Sequence, residues 1–187
     1  MRSFTTLLLL ATLSIGGCRP PCKETTETYP DGGVRIRVIH CEDSLHSSYQ
    51  SFYPDGQIKQ VKKLVDGHTD GLVTTYDSIG RISWKAYYRR DTLHGPYEDF
   101  FGNGHVRTRS AFSNGLQDGK YISFYENGKT KSTANFQQGK QIGEFLEYHP
   151  NGVLLMRALY GMGVPIEYVE YDSLGNEVGA KPPLPRD

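Results

Sequence analysis

The residues that could carry catalysis or bind metal are few, and their spacing does not suit either task. Six histidines are present, His40, His46, His68, His94, His105 and His149, and none stands at a metal-binding spacing such as i, i+4 on a helix. Asp66-x-His68-x-Asp70-Gly71 followed by Asp77 has the outline of a calcium loop. It places an imidazole where an oxygen ligand is needed, however, and it lacks the closing bidentate glutamate. Glu98 with Asp99 and Glu144 with Glu147 offer carboxylate pairs, but nothing nominates one as acid and the other as base. No phosphate loop, dinucleotide fingerprint or Gly-x-Ser-x-Gly elbow occurs. The expectation is therefore a chain that is not an enzyme and holds no metal or cofactor. Binding chemistry is better represented. Trp84-Lys85-Ala86-Tyr87-Tyr88-Arg89-Arg90 contains the only tryptophan, two adjacent tyrosines and three cations, with Tyr97 and Phe101 soon after. Trp, Tyr and Arg are the side chains that most often anchor interfaces. Trp84, Tyr87, Arg89, Arg90, Tyr97 and Phe101 are accordingly the candidate partner-binding set.

A repeat must position these residues. Gly32, Gly56, Gly80, Gly104, Gly128 and Gly152 stand 24 residues apart, and Gly175 follows after 23. A period of this length is the mark of a repeat architecture. Most of the glycines close a turn sequence, as in Pro30-Asp31-Gly32, Pro54-Asp55-Gly56 and Glu126-Asn127-Gly128. Aligned on Gly71, Gly95, Gly119 and Gly143, the units carry Val73, Tyr97, Tyr121 and Phe145 at their third position. The sixth is Tyr76, Phe100, Phe124 and Tyr148, and the eighteenth is Tyr88, Phe112, Phe136 and Tyr160. Small residues recur at Ala86, Ser110, Ala134 and Ala158. Tyr87 lies outside this pattern, as an exposed binding residue would.

After each turn the special positions fall on every second residue, and Val34-Arg35-Ile36-Arg37-Val38 alternates in the same way, which is a strand pattern. Before the turn the aromatics are three apart, which calls either for a bulge there or for apolar burial on both faces. Asp-Gly and Asn-Gly suit tight hairpin turns. Tyr76-Asp77-Ser78-Ile79-Gly80 and Tyr171-Asp172-Ser173-Leu174-Gly175 read as longer loops. The fold class expected is all-β, an elongated single twisted antiparallel sheet of tandem hairpins about 24 residues long. The repeat domain spans residues 24–178, and a Pro-rich tail occupies 179–187.

The three cysteines fall where the ladder begins. Leu7 to Ile15 is apolar, Arg2 precedes it, and Ile15-Gly16-Gly17-Cys18 ends it. The run is shorter than the roughly 20 residues a membrane span needs, and it reads as a signal peptide over residues 1–17. Its end resembles the bacterial lipobox. That resemblance implies that Cys18 becomes the lipidated first residue of the mature chain, with residues 18–23 as a tether. Arg19, rather than Asp, matches the enteric pattern for the outer membrane, so the implied location is the cell envelope, outer-membrane anchored and facing the periplasm. Cys22 and Cys41 would then lie in an oxidising compartment. With Asp31-Gly32 as a two-residue loop, Pro30 pairs with Gly33, and the same register sets Cys22 opposite Cys41 as a cross-strand disulfide.

Gly119-Lys120-Tyr121 and Phe124-Tyr125-Glu126-Asn127-Gly128-Lys129, set in Gly-x-aromatic-x-x-aromatic-(x)3-Gly, resemble the MORN repeat in its bacterial variant form. The resemblance runs over residues 24–178. It implies an assembly and interaction module without catalytic residues, and some chains of this kind are grouped as YwqK-like antitoxins. Charge agrees, with 21 Lys plus Arg against 21 Asp plus Glu, so no basic face for nucleic acid is expected. Apolar residues make up 37%, low for a deep core. The function expected is a membrane-anchored scaffold that binds a protein or an envelope polymer. The alternative is an antitoxin or immunity protein that sequesters a toxin.

Overall fold

Each 24-residue repeat folds as a hairpin whose turn is one residue longer than a tight Asp-Gly hairpin. A computed structural model describes residues 21–42 and 45–181. The expected signal peptide over residues 1–17, Cys18 and residues 182–187 lie outside the described residues. The chain divides into two compact units, one through Thr92 and one from Leu93. All the described pairings are antiparallel, the architecture is all-β, and the open sheet follows the chain order that the repeat predicts.

The first unit holds β1 (Cys22–Thr28), β2 (Val34–Cys41), β3 (His46–Phe52), β4 (Ile58–Val65), β5 (His68–Thr69), β6 (Gly71–Tyr76) and β7 (Ile82–Arg89). The second holds β8 (Thr92–Phe100), which begins at the boundary, β9 (Val106–Ser113), β10 (Leu116–Gln117), β11 (Gly119–Phe124), β12 (Thr130–Gln137), β13 (Lys140–Tyr148), β14 (Leu154–Gly161), β15 (Val164–Tyr171) and β16 (Glu177–Lys181). β1 starts two residues before the expected repeat boundary. β16 runs three residues beyond it, into the segment read as tail.

The turn at Pro54-Asp55-Gly56 shows the local logic. Tyr53 N donates to Gln57 O at 2.8 Å and Gly56 N donates to Tyr53 O at 2.9 Å, so the loop has three residues. Gly56 sits at φ 86°, a left-handed value that glycine adopts without a side-chain penalty. Asp55 Oδ1 accepts from Gln57 N at 3.0 Å and satisfies the first amide after the turn. The two-residue loop expected at Asp31-Gly32 is replaced by this form, since Tyr29 N donates to Gly33 O at 2.7 Å.

Cys22 nevertheless faces Cys41, because a second irregularity restores the register. Thr28 pairs with Val34 and Glu27 with Ile36, which leaves Arg35 as a bulge within a segment that reads as strict alternation. Every three-residue turn is followed by such a bulge, at Arg35, Lys59 and Ser83 in the first unit. In the second unit the bulged residues are Arg107, Lys131, Leu155 and Val178. A long turn subtracts one position and a bulge adds one, so the pairing beyond them matches a tight hairpin.

The two loops read as longer have the same length as the rest. Asp77 N donates to Arg81 O at 2.8 Å, and Asp172 N donates to Asn176 O at 2.9 Å. In these loops the carboxylate has moved to the first turn position. Asp77 Oδ1 accepts from both Ile79 N and Arg81 N, at 3.0 and 2.9 Å.

The bulge follows the turn, so the strand before it keeps its pleat and aromatics three apart lie on opposite faces. Third- and eighteenth-position rings share one face. Tyr97 meets Phe112 edge-on at 5.9 Å, Tyr121 meets Phe136 at 6.2 Å and Phe145 meets Tyr160 at 6.3 Å. Such pairs contribute about 0.5–1.5 kcal/mol each beyond area burial. Ala134 and Ala158 are buried beneath them, each 3% exposed, and Ala86 holds the corresponding place in the first unit. On the opposite face the Arg109 guanidinium lies over the Phe124 ring at 5.5 Å, and Arg37 over Phe52 at 5.3 Å. Successive hairpins are also tied at their turns. Tyr29 OH donates to Phe52 O and Tyr53 OH to Tyr76 O, at 2.7 and 2.8 Å. In the second unit Tyr125 OH donates to Tyr148 O at 2.6 Å.

Cys22 and Cys41 are disulfide-bonded. They close the hairpin whose outer strand, β1, buries no residue.

Candidate functional site

Alternation along β7 separates the residues of the Trp84–Arg90 segment. Trp84 pairs with Thr75 and Ala86 with Val73, and both face the ring side of the first unit. Tyr87 pairs with Leu72 and Lys85 with Thr74, on the other side. Trp84 is half-buried, whereas Tyr87 is 43% exposed and Leu72 opposite it 40%. A directly opposed aromatic and aliphatic pair presents one continuous apolar surface. Arg89, two residues beyond Tyr87 on the same side, is exposed. The structure thus brings together Leu72, Tyr87 and Arg89 and turns Trp84 away from them. Leu72 carries no signal in the sequence alone, because it occupies an ordinary outward repeat position. Only the cross-strand register identifies it.

The other members of the candidate set lie in the second unit. Tyr97 is half-buried and packs on Phe112, so its ring serves the hairpin interior. Phe101 sits at the head of a three-residue turn, where its N donates to His105 O at 2.8 Å. Arg90 belongs to the second kind of turn.

Those second turns are the tight ones. Asp66 and Gly67 have φ of 52° and 79°, and Asn114 and Gly115 have 51° and 81°. Positive values at both central residues are the mark of a type I′ turn, in which glycine is favoured at the second place. Arg90 and Asp91 adopt the same geometry, at 45° and 61°, with no glycine. The strain of a non-glycine pair there is offset by the carboxylate. Thr69 N donates to Asp91 Oδ1 at 2.6 Å, and His68 Nδ1 lies 2.6 Å from Asp91 Oδ2. Asp91 N in turn donates to Thr69 O at 2.9 Å. Arg90 N donates weakly to Asp70 Oδ2 at 3.4 Å. His68 and Asp70 of the calcium-loop outline therefore bind one turn to the next, and the Asp77 carboxylate is engaged within its own turn. Among the described residues no group of three or more His, Cys, Asp and Glu is placed to hold a metal ion.

The Thr69 amide, then the His68 side chain, hold the Asp91 carboxyl down to about 2 from its ordinary 3.8. A folded value below the unfolded one means that the charged carboxylate favours the folded turn. That contribution is complete above about pH 4 and is lost as pH falls toward 2. A carboxyl-carbon NMR titration is expected to give Asp91 a midpoint near 2, with Thr69 amide protection falling over the same interval. A midpoint near 4 would show that the turn does not use the charge.

Three segments of the chain, residues 45–62, 117–138 and 141–160, match the family described as MORN repeat variant. The first lies in the first unit, over the β3 hairpin, and the other two cover the β11–β12 and β13–β14 hairpins of the second. No curated protein matches the chain. The Leu72–Tyr87–Arg89 surface falls outside the matched segments.

Proposed function

We propose that this chain, three segments of which match the MORN repeat variant family, is a non-enzymatic repeat scaffold, anchored to a membrane by lipid on Cys18, that binds a protein or envelope partner through the Leu72–Tyr87–Arg89 face of its first unit. The observation that carries this reading is the exposed Tyr87–Leu72 pair beside an exposed arginine. Aromatic, aliphatic and guanidinium groups grouped in this way form the composition of an interface centre. The disulfide near the chain start fits an oxidising, envelope-type compartment. The apolar Leu7–Ile15 run ending at Gly16-Gly17-Cys18 supports the anchor.

The test is affinity capture from envelope extracts with the wild type and a Leu72→Ala/Tyr87→Ala variant. The reading expects recovery of partners to fall by about tenfold or more, the loss of one interface anchor. Equal recovery by both proteins would remove this face from the account. A Cys18→Ala variant that still fractionates with membranes would remove the anchor.

A further inference from the structure

The first unit contains a cleft of about 480 Å³ lined by Tyr29, Arg35, Tyr49, Ser51, Lys59 and Gln60, among others. Its cations are bulge residues. Arg35 and Lys59 are the unpaired residues of two successive hairpins, and bulges commonly re-aim side chains at functional sites. Arg35 shares one guanidinium nitrogen with Glu27, which is itself exposed. Lys59 lies over the Tyr53 ring at 5.6 Å. Among the described residues no carboxylate forms an ion pair with it.

In the second unit the corresponding places are filled. Tyr97, Asp99, Arg107 and Thr108 stand 48 residues beyond Tyr49, Ser51, Lys59 and Gln60. They hold the same places in their hairpin. Asp99 pairs with Thr108 as Ser51 pairs with Gln60, and Arg107 is the bulge as Lys59 is. The Asp99 carboxylate, only 12% exposed, accepts from Arg107 Nε at 2.7 Å and from Thr108 Oγ1 at 2.6 Å. The Tyr97 hydroxyl lies 3.5 Å from it. That carboxylate also holds the Arg107 guanidinium above its ordinary value. The hairpin around Asp99 thus supplies its own anion. At Ser51 the side chain is shorter and uncharged, and the space beside the lysine stays open. A third copy is closed by another route. Ser123 and Ser132 replace the pair, and their hydroxyls lie 2.7 Å apart and buried.

We propose that the first-unit cleft is a binding site for a carboxylate-bearing saccharide, its carboxylate taking the place that Asp99 fills in the second unit. Lys59 and Arg35 supply charge-assisted donors. Ser51, Gln60 and Thr75 supply groups that pair with sugar hydroxyls, and Gln60 Nε2 already donates to Thr75 Oγ1 at 3.1 Å. Tyr29 and Tyr49 add aromatic surface to the lining, with the Lys62 ammonium 4.6 Å from the centre of the Tyr49 ring. A carboxylate alone occupies little of the volume, which lies in the range of small-molecule sites. This site stands whether or not the Tyr87 face binds a partner, since the two share no residue.

The experiment is an NMR titration of the protein with D-glucuronate, D-glucose, acetate and a capped glutamate peptide, reading the Tyr49, Ser51 and Gln60 amides. Glucuronate is expected to shift them saturably. Glucose at the same concentration is expected to leave them in place, and acetate and the peptide to bind about tenfold more weakly. Ser51→Asp should supply the anion internally and weaken glucuronate binding by at least about tenfold, and Lys59→Met should do the same. Unchanged amide protection across β3 and β4 in Ser51→Asp separates filling of the cleft from damage to the hairpin. Absence of a shift with glucuronate, an equal response to glucose, or undiminished binding by Ser51→Asp would overturn the site. A peptide that binds as tightly as glucuronate would overturn the saccharide assignment.

Discussion

Replacing Cys22 and Cys41 by serine is expected to release β1 from the sheet and to lower the stability of the first hairpin by about 3 kcal/mol, the chain-entropy value for a loop of this size. The bond joins residues 19 apart in sequence. Little else holds the strand. Of its seven residues only Thr26 is half-buried, so no apolar area anchors it. The side chains of its ion pairs, Arg35 with Glu27 and Arg37 with Glu24, are 37% to 57% exposed, and each pair contributes at most about 1 kcal/mol after solvent screening. The Tyr29 hydroxyl bond to Phe52 O secures the turn end but not the end at Cys22. Amide exchange is the measurement. Protection at Lys23 to Thr26 should collapse in the serine variant, while the hairpins of the second unit keep theirs. Unchanged protection in β1 would mean that hydrogen bonding alone retains the strand.

The second large effect belongs to the buried alanines. Ala134 pairs directly with Tyr121 and lies under the edge-on Tyr121–Phe136 contact, whose ring planes meet at 73°. Leucine there would have to displace a ring. Overpacking of this kind costs about 1–3 kcal/mol. Asn135→Leu, one residue along on the opposite, exposed side, is expected to change stability by no more than about 0.5 kcal/mol. The comparison is made from denaturant midpoints at constant slope. Equal effects at 134 and 135 would show that the rings do not pack on the alanine row.

Much of this arrangement can be read from the chain before any coordinates, because period and composition report the hairpin directly. The glycines at 24-residue spacing are turn residues, and the ring, alanine and ring positions form one face. The details that failed concern the chemistry of the turns. Asp31-Gly32 has the composition of a two-residue turn, yet the aspartate serves as an acceptor for Gly33 N at 3.0 Å within a three-residue loop. The tight turns lie at the other end of the hairpins, at Asn114-Gly115 and its equivalents. The cysteine register was nevertheless reached, because the omitted turn residue and the omitted bulge cancel.

The candidate surface was legible only in part, for the same reason. Residues adjacent in sequence alternate in direction, so Trp84 and Tyr87 part company. Leu72 comes to Tyr87 from another strand. The Ser51 cleft carries no local signature. Its meaning depends on a comparison with Asp99, which looks like an ordinary solvated strand carboxylate until Arg107 and Thr108 are seen to converge on it.

The most direct test of the proposed binding face uses photocrosslinking side chains placed singly at position 87 and at position 84. These positions share one strand and point to opposite sides of the sheet. In envelope extracts a crosslinked partner is expected from position 87 and none from position 84. Crosslinks from position 84 with none from position 87 would contradict the account.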